Sequence, residues 1–377
     1  MTNLPLNTPL NALLQRQLAG GEQIGAQVCV YKDGKVVADV CAGQMGPDDP
    51  RPVRPDSLFL SFSTTKGVAA LALHQLADQG LIDYDAPVAK YWPAFAQHGK
   101  DKVTVAQAMS HQCGLHAMPE PFKVADITDW EAGIRRMEEG VPAWEPGTAT
   151  GYHAVTYGWI VGGIVQGATG RHIKEVIRDN VAIPLGVQDE MYVGIPDGVE
   201  DRLTTLEIVA AGEGAPIPAD HDMFKAMPLA MWRHFNHMPF RKACLPSGNG
   251  HFTARALAKM YAALAGDGSI DGVRLVSPGR IVQMQRIVTR ETDRVLMMPI
   301  NKGIGFMMGG VEGGIHGPSG PRETAFGHAG AGGSMAFADP EAGLAVALTI
   351  NKMQYPLPGE GTTLEICDLI RLELGVG

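Results

Sequence analysis

A chain of 377 residues with 45% hydrophobic and 19% charged residues can bury a large core and is too apolar to be disordered. A net charge of −9, 6% aromatic content and the lack of any Lys/Arg-rich run argue against a nucleic-acid surface. The five cysteines (Cys29, Cys41, Cys113, Cys244, Cys367) lie far apart without C-x-x-C spacing, which favours reduced thiols over disulfides or a zinc site.

Met1–Gln23 shows no basic segment followed by an apolar one, so no signal peptide is expected, and a soluble cytoplasmic protein follows. Leu10–Ala19 is predicted as a short amphipathic helix closing at Gly20-Gly21. Ile24–Tyr31 and Val36–Cys41 are β-rich runs around Asp33-Gly34, a strong hairpin signal. The apolar run Leu58–Leu60 then leads into Ser63, and Val68, Leu71, Leu73, Leu76 and Leu81 recur at helical spacing. No G-x-G-x-x-G follows a strand, so a dinucleotide fingerprint is absent.

Beyond the turn-rich Gly80–Val88, a helix is predicted at Val105–His111, stopped by Gly114, and a turn at Trp144–Gly147. Ala154–Val165 and His172–Val181 are further predicted helices. The uncharged stretch His153–Gly170 carries Thr156, Gln166 and Thr169 and suits a buried helix rather than a membrane span. Asp201–Lys242 is irregular and, with Met118–Trp130, is expected to wall a substrate pocket. Thr253 is a predicted N-cap for a helix to Ala265. Gly303–Met308, Thr324–His328, Gly333–Ala338 and Leu344–Ile350 are β-like, and Thr363–Leu374 closes the chain as a helix. The pattern is α+β: residues 1–80 and 245–377 form sheet with flanking helices, and 81–244 form a mainly helical inserted domain.

Three stretches carry chemistry. Ser63 and Lys66 share one helix face at a helix N-terminus, and a buried lysine amine can take a serine hydroxyl proton. The same pair also reads as an N-cap and a solvated lysine. Tyr152 enters a helix from a loop, where it serves either as a packing aromatic or, with its pKa lowered by a neighbouring lysine, as a general base. Gly327–Ser334 is glycine-rich before a strand, so one backbone N–H there could complete an oxyanion hole; the plainer reading is a hairpin or bulge. Ser334 imitates a nucleophile elbow but leads into a strand, which disqualifies it. His111, His116, His234 and His237 lack a carboxylate–His set, so no metal is expected.

In this order and spacing, the three stretches resemble the serine β-lactamase and penicillin-binding-protein superfamily, and within it the family VIII carboxylesterases. Gly80–Val88, Ser110–Leu115 and Tyr152–Trp159 carry the likeness further, to roughly residues 10–375. The resemblance implies a β-lactamase/transpeptidase-like fold, with an antiparallel sheet flanked by helices and a helical insertion. It also implies Ser63 as an acylated nucleophile, with Lys66 and Tyr152 sharing the acid–base work. The N–H groups of Ser63 and Ala331 would form the oxyanion hole, and His328, Ala329, Gly330 and Gly332 would line the substrate, with no cofactor. Ala154 stands where class C β-lactamases carry Asn, and His328-Ala329-Gly330 where they carry Lys-Thr-Gly. Both departures favour small neutral esters over charged lactams. A β-lactamase, a D-amino-acid peptidase or amidase, an acyltransferase and a binding protein on a retired hydrolase fold are the alternatives.

Overall fold

The computed structural model describes residues 4–209, 218, 220–356 and 359–377. Helix α1 is Asn7–Ala19. Strands β1 (Gly25–Lys32) and β2 (Lys35–Gly46) form the predicted hairpin, with Asp33 and Gly34 both at positive φ, 50° and 74°. That backbone matches the twist of the flanking strands and suits Asp-Gly. β3 is Asp49–Pro52 and β4 Phe59–Leu60, before helix α2 (Thr64–Asp78). Helix α3 is Tyr157–Thr169 and β5 is Met191–Val193. β6 (Gly250–Phe252) precedes helix α4 (Ala254–Ala265), whose first turn is capped by the Thr253 side chain accepting from Ala256 N–H, as predicted. The chain ends with β7 (Met307–Met308), β8 (Phe326–Ala329), β9 (Met335–Asp339), β10 (Leu344–Ile350) and helix α5 (Thr362–Leu374).

Among the described residues the main sheet is antiparallel, in the order β3-β2-β1-β10-β9-β8-β7, so the two chain ends meet at the β1–β10 ladder. Alternation sorts its two faces. Val28, Val30, Leu344, Val346 and Leu348 face Leu10 and Leu14 of α1 and Ile366 and Ile370 of α5. Ala336, Ala338, Ala345 and Ala347 face the opposite way, and their small size lets the alanine-rich α4 lie close to the sheet. A second sheet, β4-β6-β5, braces the segment that leads into α2.

Helix α2 is buried along its whole length from Thr64 to Ala77, with no polar face. Three expectations are corrected. Leu81 lies beyond the end of α2 and is half exposed, so it does not extend the helical stripe. The helix predicted at Val105–His111 stops at Met109, because His111 adopts a positive φ of 64°. Helix α3 starts at Tyr157 rather than Ala154: Ala154 O accepts from the Lys66 side chain, and Val155 O accepts from Ser247 Oγ as well as from Gly158 N–H in a tighter turn ahead of the helix. The described residues of Asp201–Lys242 hold short helical turns at Glu200–Arg202, Asp222–Ala226, Leu229–His234 and Met238–Lys242; residues 210–217 and 219 lie outside the described residues. No helix among the described residues is long and apolar enough to cross a membrane.

Candidate active site

Ser63 stands immediately before α2, entered through Phe62 at a positive φ of 45°. A phenylalanine in that region is strained, and the surroundings hold it there. Its ring packs on Phe235 at 4.8 Å and Trp232 at 6.0 Å, and its carbonyl accepts from Thr65 Oγ1. Ser61 N–H donates to Gly250 O of β6 at 2.9 Å. The turn is thus fixed from both sides, with Ser63 only 6% exposed.

Lys66 Nζ lies 3.0 Å from Ser63 Oγ, 2.8 Å from Ala154 O and 2.7 Å from Ser247 O. Among the described residues no carboxylate accompanies it, and burial holds its pKa well below the ordinary lysine range. A neutral amine has two N–H groups, which the two carbonyls absorb, leaving its lone pair for the Ser63 hydroxyl. Ala154, which has no side-chain amide to offer, thus serves Lys66 through its backbone carbonyl.

Tyr152 is buried above the same amine, with Nζ 4.8 Å from its ring centroid. Burial pushes its phenol pKa up, a hydrogen bond with Ser63 pulls the other way, and the charge of Asp293 adds to the rise. The expected lowering by lysine is corrected here: both groups are driven towards their neutral forms. His111 lies against Tyr152 at 4.9 Å and accepts from His153 N–H at 3.1 Å.

The glycine-rich stretch follows β8. β7 pairs only with Phe326 and Gly327, so the outer edge of His328 and Ala329 has no strand partner among the described residues. His328 Nδ1 donates to Ala329 O at 2.7 Å, which leaves buried Nε2 an acceptor without a partner among the described residues. Burial lowers the pKa of His328 to about 3, so the ring is neutral. Gly330 is a required glycine, since a Cβ there would lie 2.4 Å from Ser61 O. Among the described residues, neither Ser63 N–H nor Ala331 N–H donates to another protein group. Gly332 turns towards Met353 and its carbonyl accepts from Gln354 N–H, which accounts for it as a turn residue. Ser334 Oγ accepts from Ile350 N–H, away from the Ser63 turn.

The two segments expected to wall the pocket pack on each other. Met118 N–H donates to Lys225 O at 2.8 Å, and His116 Nε2 lies 3.3 Å from Asp222 Oδ1. No group of three or more potential metal ligands occurs among the described residues. Sequence reading missed Asp293 and Lys302, a fully buried ion pair at 2.8 Å beneath Tyr152. They sit in a stretch with no helical or strand period, which leaves nothing in the sequence to point to them.

A family model described as Beta-lactamase matches residues 10–366. The chain belongs to the beta-lactamase family. It is thereby a serine hydrolase by kinship. Within the family it is similar to the esterase/beta-lactamase LipL of Mycobacterium tuberculosis, at 37% identity over 350 residues, covering 88% of this chain and 78% of LipL. A family VIII carboxylesterase structure superposes with a TM-score of 0.89 at 33% identity, over 98% of both chains. A penicillin-binding protein homologue from Caulobacter crescentus gives 0.88 at 36%, over 97% of this chain and 96% of that one.

Proposed function

We propose that this beta-lactamase family member is a carboxylesterase for small neutral esters, working through an acyl-enzyme on Ser63. The observation that carries the proposal is a buried lysine without a counter-ion among the described residues, aimed at the hydroxyl of Ser63 by two backbone carbonyls. Ser63 Oγ attacks the acyl carbon while its proton passes to Lys66 Nζ. The oxyanion is received by the N–H groups of Ser63 and Ala331, a donor pair worth roughly 10²–10³ per group in rate. Tyr152 O–H then protonates the departing alkoxide, and a water activated by the same pair releases the acid.

Substrate class follows from His328. A neutral ring in place of a lysine offers no cation for a substrate carboxylate, which favours neutral esters. Five unpaired thiols fit a reducing, cytoplasmic setting. LipL is described as an esterase and a β-lactamase, so a lactam belongs in the test. Turnover of p-nitrophenyl acetate and butyrate should far exceed that of nitrocefin and disappear in Ser63→Ala. A nitrocefin rate above the ester rate would put lactam hydrolysis first, and ester turnover surviving in Ser63→Ala would remove the proposed nucleophile.

A further inference from the structure

The loop that carries Tyr152 has no helical hydrogen bonds of its own, so something else must fix where its phenol stands. Tyr152 N–H donates to Asp293 Oδ1 at 3.1 Å. The same oxygen accepts from Val295 N–H and Leu296 N–H, both at 2.8 Å. Oδ2 faces Lys302 Nζ at 2.8 Å, and Lys302 also donates to Thr150 Oγ1 at 2.8 Å. Arg294 N–H closes the ring by donating to Thr150 O at 3.0 Å. One carboxylate and one ammonium, both buried, thus tie Thr150 and Tyr152 to the 293–302 segment.

We propose that Asp293 and Lys302 are positioning residues, a buried clamp that sets Tyr152 for proton transfer at Ser63. This rests on the esterase reading above. The groups facing Tyr152 are Ser63 just before α2, Lys66 from α2, His111 from the turn after Met109, Tyr157 at the start of α3, His328 from β8, and Asp293 itself. Asp293 is the only carboxylate in that set, and its negative charge disfavours the phenolate. The clamp therefore does two separable things: Oδ1 holds the backbone, and the charge keeps the phenol protonated. An ion pair buried this deeply costs desolvation, and a better-packed apolar pair could replace it as far as stability is concerned. Two of the three N–H groups on Oδ1, those of Val295 and Leu296, close a local turn on Asp293; the third, of Tyr152, is the one that reaches the loop beside Ser63.

Removing one partner strands a buried charge, so the test removes both. Asp293→Asn/Lys302→Met keeps a carbonyl oxygen for the three N–H donors, whereas Asp293→Ala/Lys302→Met does not. The Asn form should retain kcat for p-nitrophenyl butyrate within about 3-fold, and the Ala form should lose about 100-fold in kcat with KM within about 2-fold, the scale of a small misplacement of a reacting group. With the charge gone, the alkaline limb of the Asn form should also move to lower pH. Equal kcat in the two folded double variants, or a loss confined to KM, overturns the proposal. If the Ala form does not fold, the Asn form decides: a folded protein that has lost more than about 30-fold in kcat contradicts the clamp. Ser63→Ala is run alongside. Turnover surviving there would fault the acyl-enzyme on Ser63, whereas its loss with an unaffected Ala form would fault the clamp alone.

Discussion

At the scale of single residues, the proposed mechanism makes Lys66 the group that sets the pH dependence. Its folded pKa is depressed, so the amine stays neutral, and able to accept the Ser63 proton, well below the ordinary lysine range. As pH falls through that lowered pKa, the amine protonates and acylation should fail. Turnover of p-nitrophenyl butyrate is therefore expected to be as high at pH 8 as at pH 10. A rate that climbs steeply through pH 10 would mean an ordinary lysine and contradict the assignment. Lys66→Arg, which stays charged, should lose at least about 10³-fold in kcat, and Tyr152→Phe about 10²–10⁴-fold. Tyr152→Phe keeps the packing and should retain a near-native melting temperature, whereas Lys66→Arg places a larger, permanently charged group in a fully buried site and should lower it.

At the scale of elements, α2 is the part of the molecule least free to change. Its Gly67 faces Tyr261 of α4, and an added Cβ would lie 2.0 Å from the phenol oxygen. On an exposed helix Gly→Ala would stabilise; here Gly67→Ala should destabilise by roughly 1–3 kcal/mol through overpacking. A thermal melt checks it, and an unchanged or raised Tm would show that α4 can yield. The elements differ in how legible they are from sequence. The β1–β2 hairpin is legible because Asp33 and Gly34 alone satisfy its two positive-φ positions. The α4 start is legible because Thr253 caps it locally, and β10 because its apolar run is unbroken. The start of α3 is not, since Ala154 O accepts from Lys66 and Val155 O from Ser247, partners almost 90 residues away in either direction. Ser63, Lys66 and Tyr152 are legible as a spaced set through the family resemblance. The protonation of Tyr152 and the clamp beneath it are not, because both arise from burial and from contacts to residues 293 and 302.

At the scale of the whole molecule, five histidines among the described residues are buried in neutral form, His111 with its pKa well below the ordinary value. His74, His153, His251 and His328 each have their pKa lowered by burial to about 3. The unfolded chain protonates them near their ordinary value of 6.5, so folding is favoured in full above that pH and progressively less between 6.5 and 3. At pH 5 each contributes about 2 kcal/mol less than at pH 7.5. His153 shows the structural cause: Nδ1 donates to Gly151 O while Nε2 accepts from Leu115 N–H, and protonation would break the second bond. The melting temperature should therefore fall by roughly 10 °C between pH 7.5 and pH 5. A Tm flat across that range would mean that the histidines are solvated or paired when charged.

The account stands on Ser63 as the residue that carries the acyl group. The direct measurement is rapid quenching of the enzyme during p-nitrophenyl butyrate turnover, followed by intact-mass analysis and peptide mapping. A single butyryl adduct on the peptide containing Ser63, absent from Ser63→Ala, is the predicted result. An adduct on Ser334 or any other residue, or the same adduct in Ser63→Ala, would contradict the mechanism at its first step.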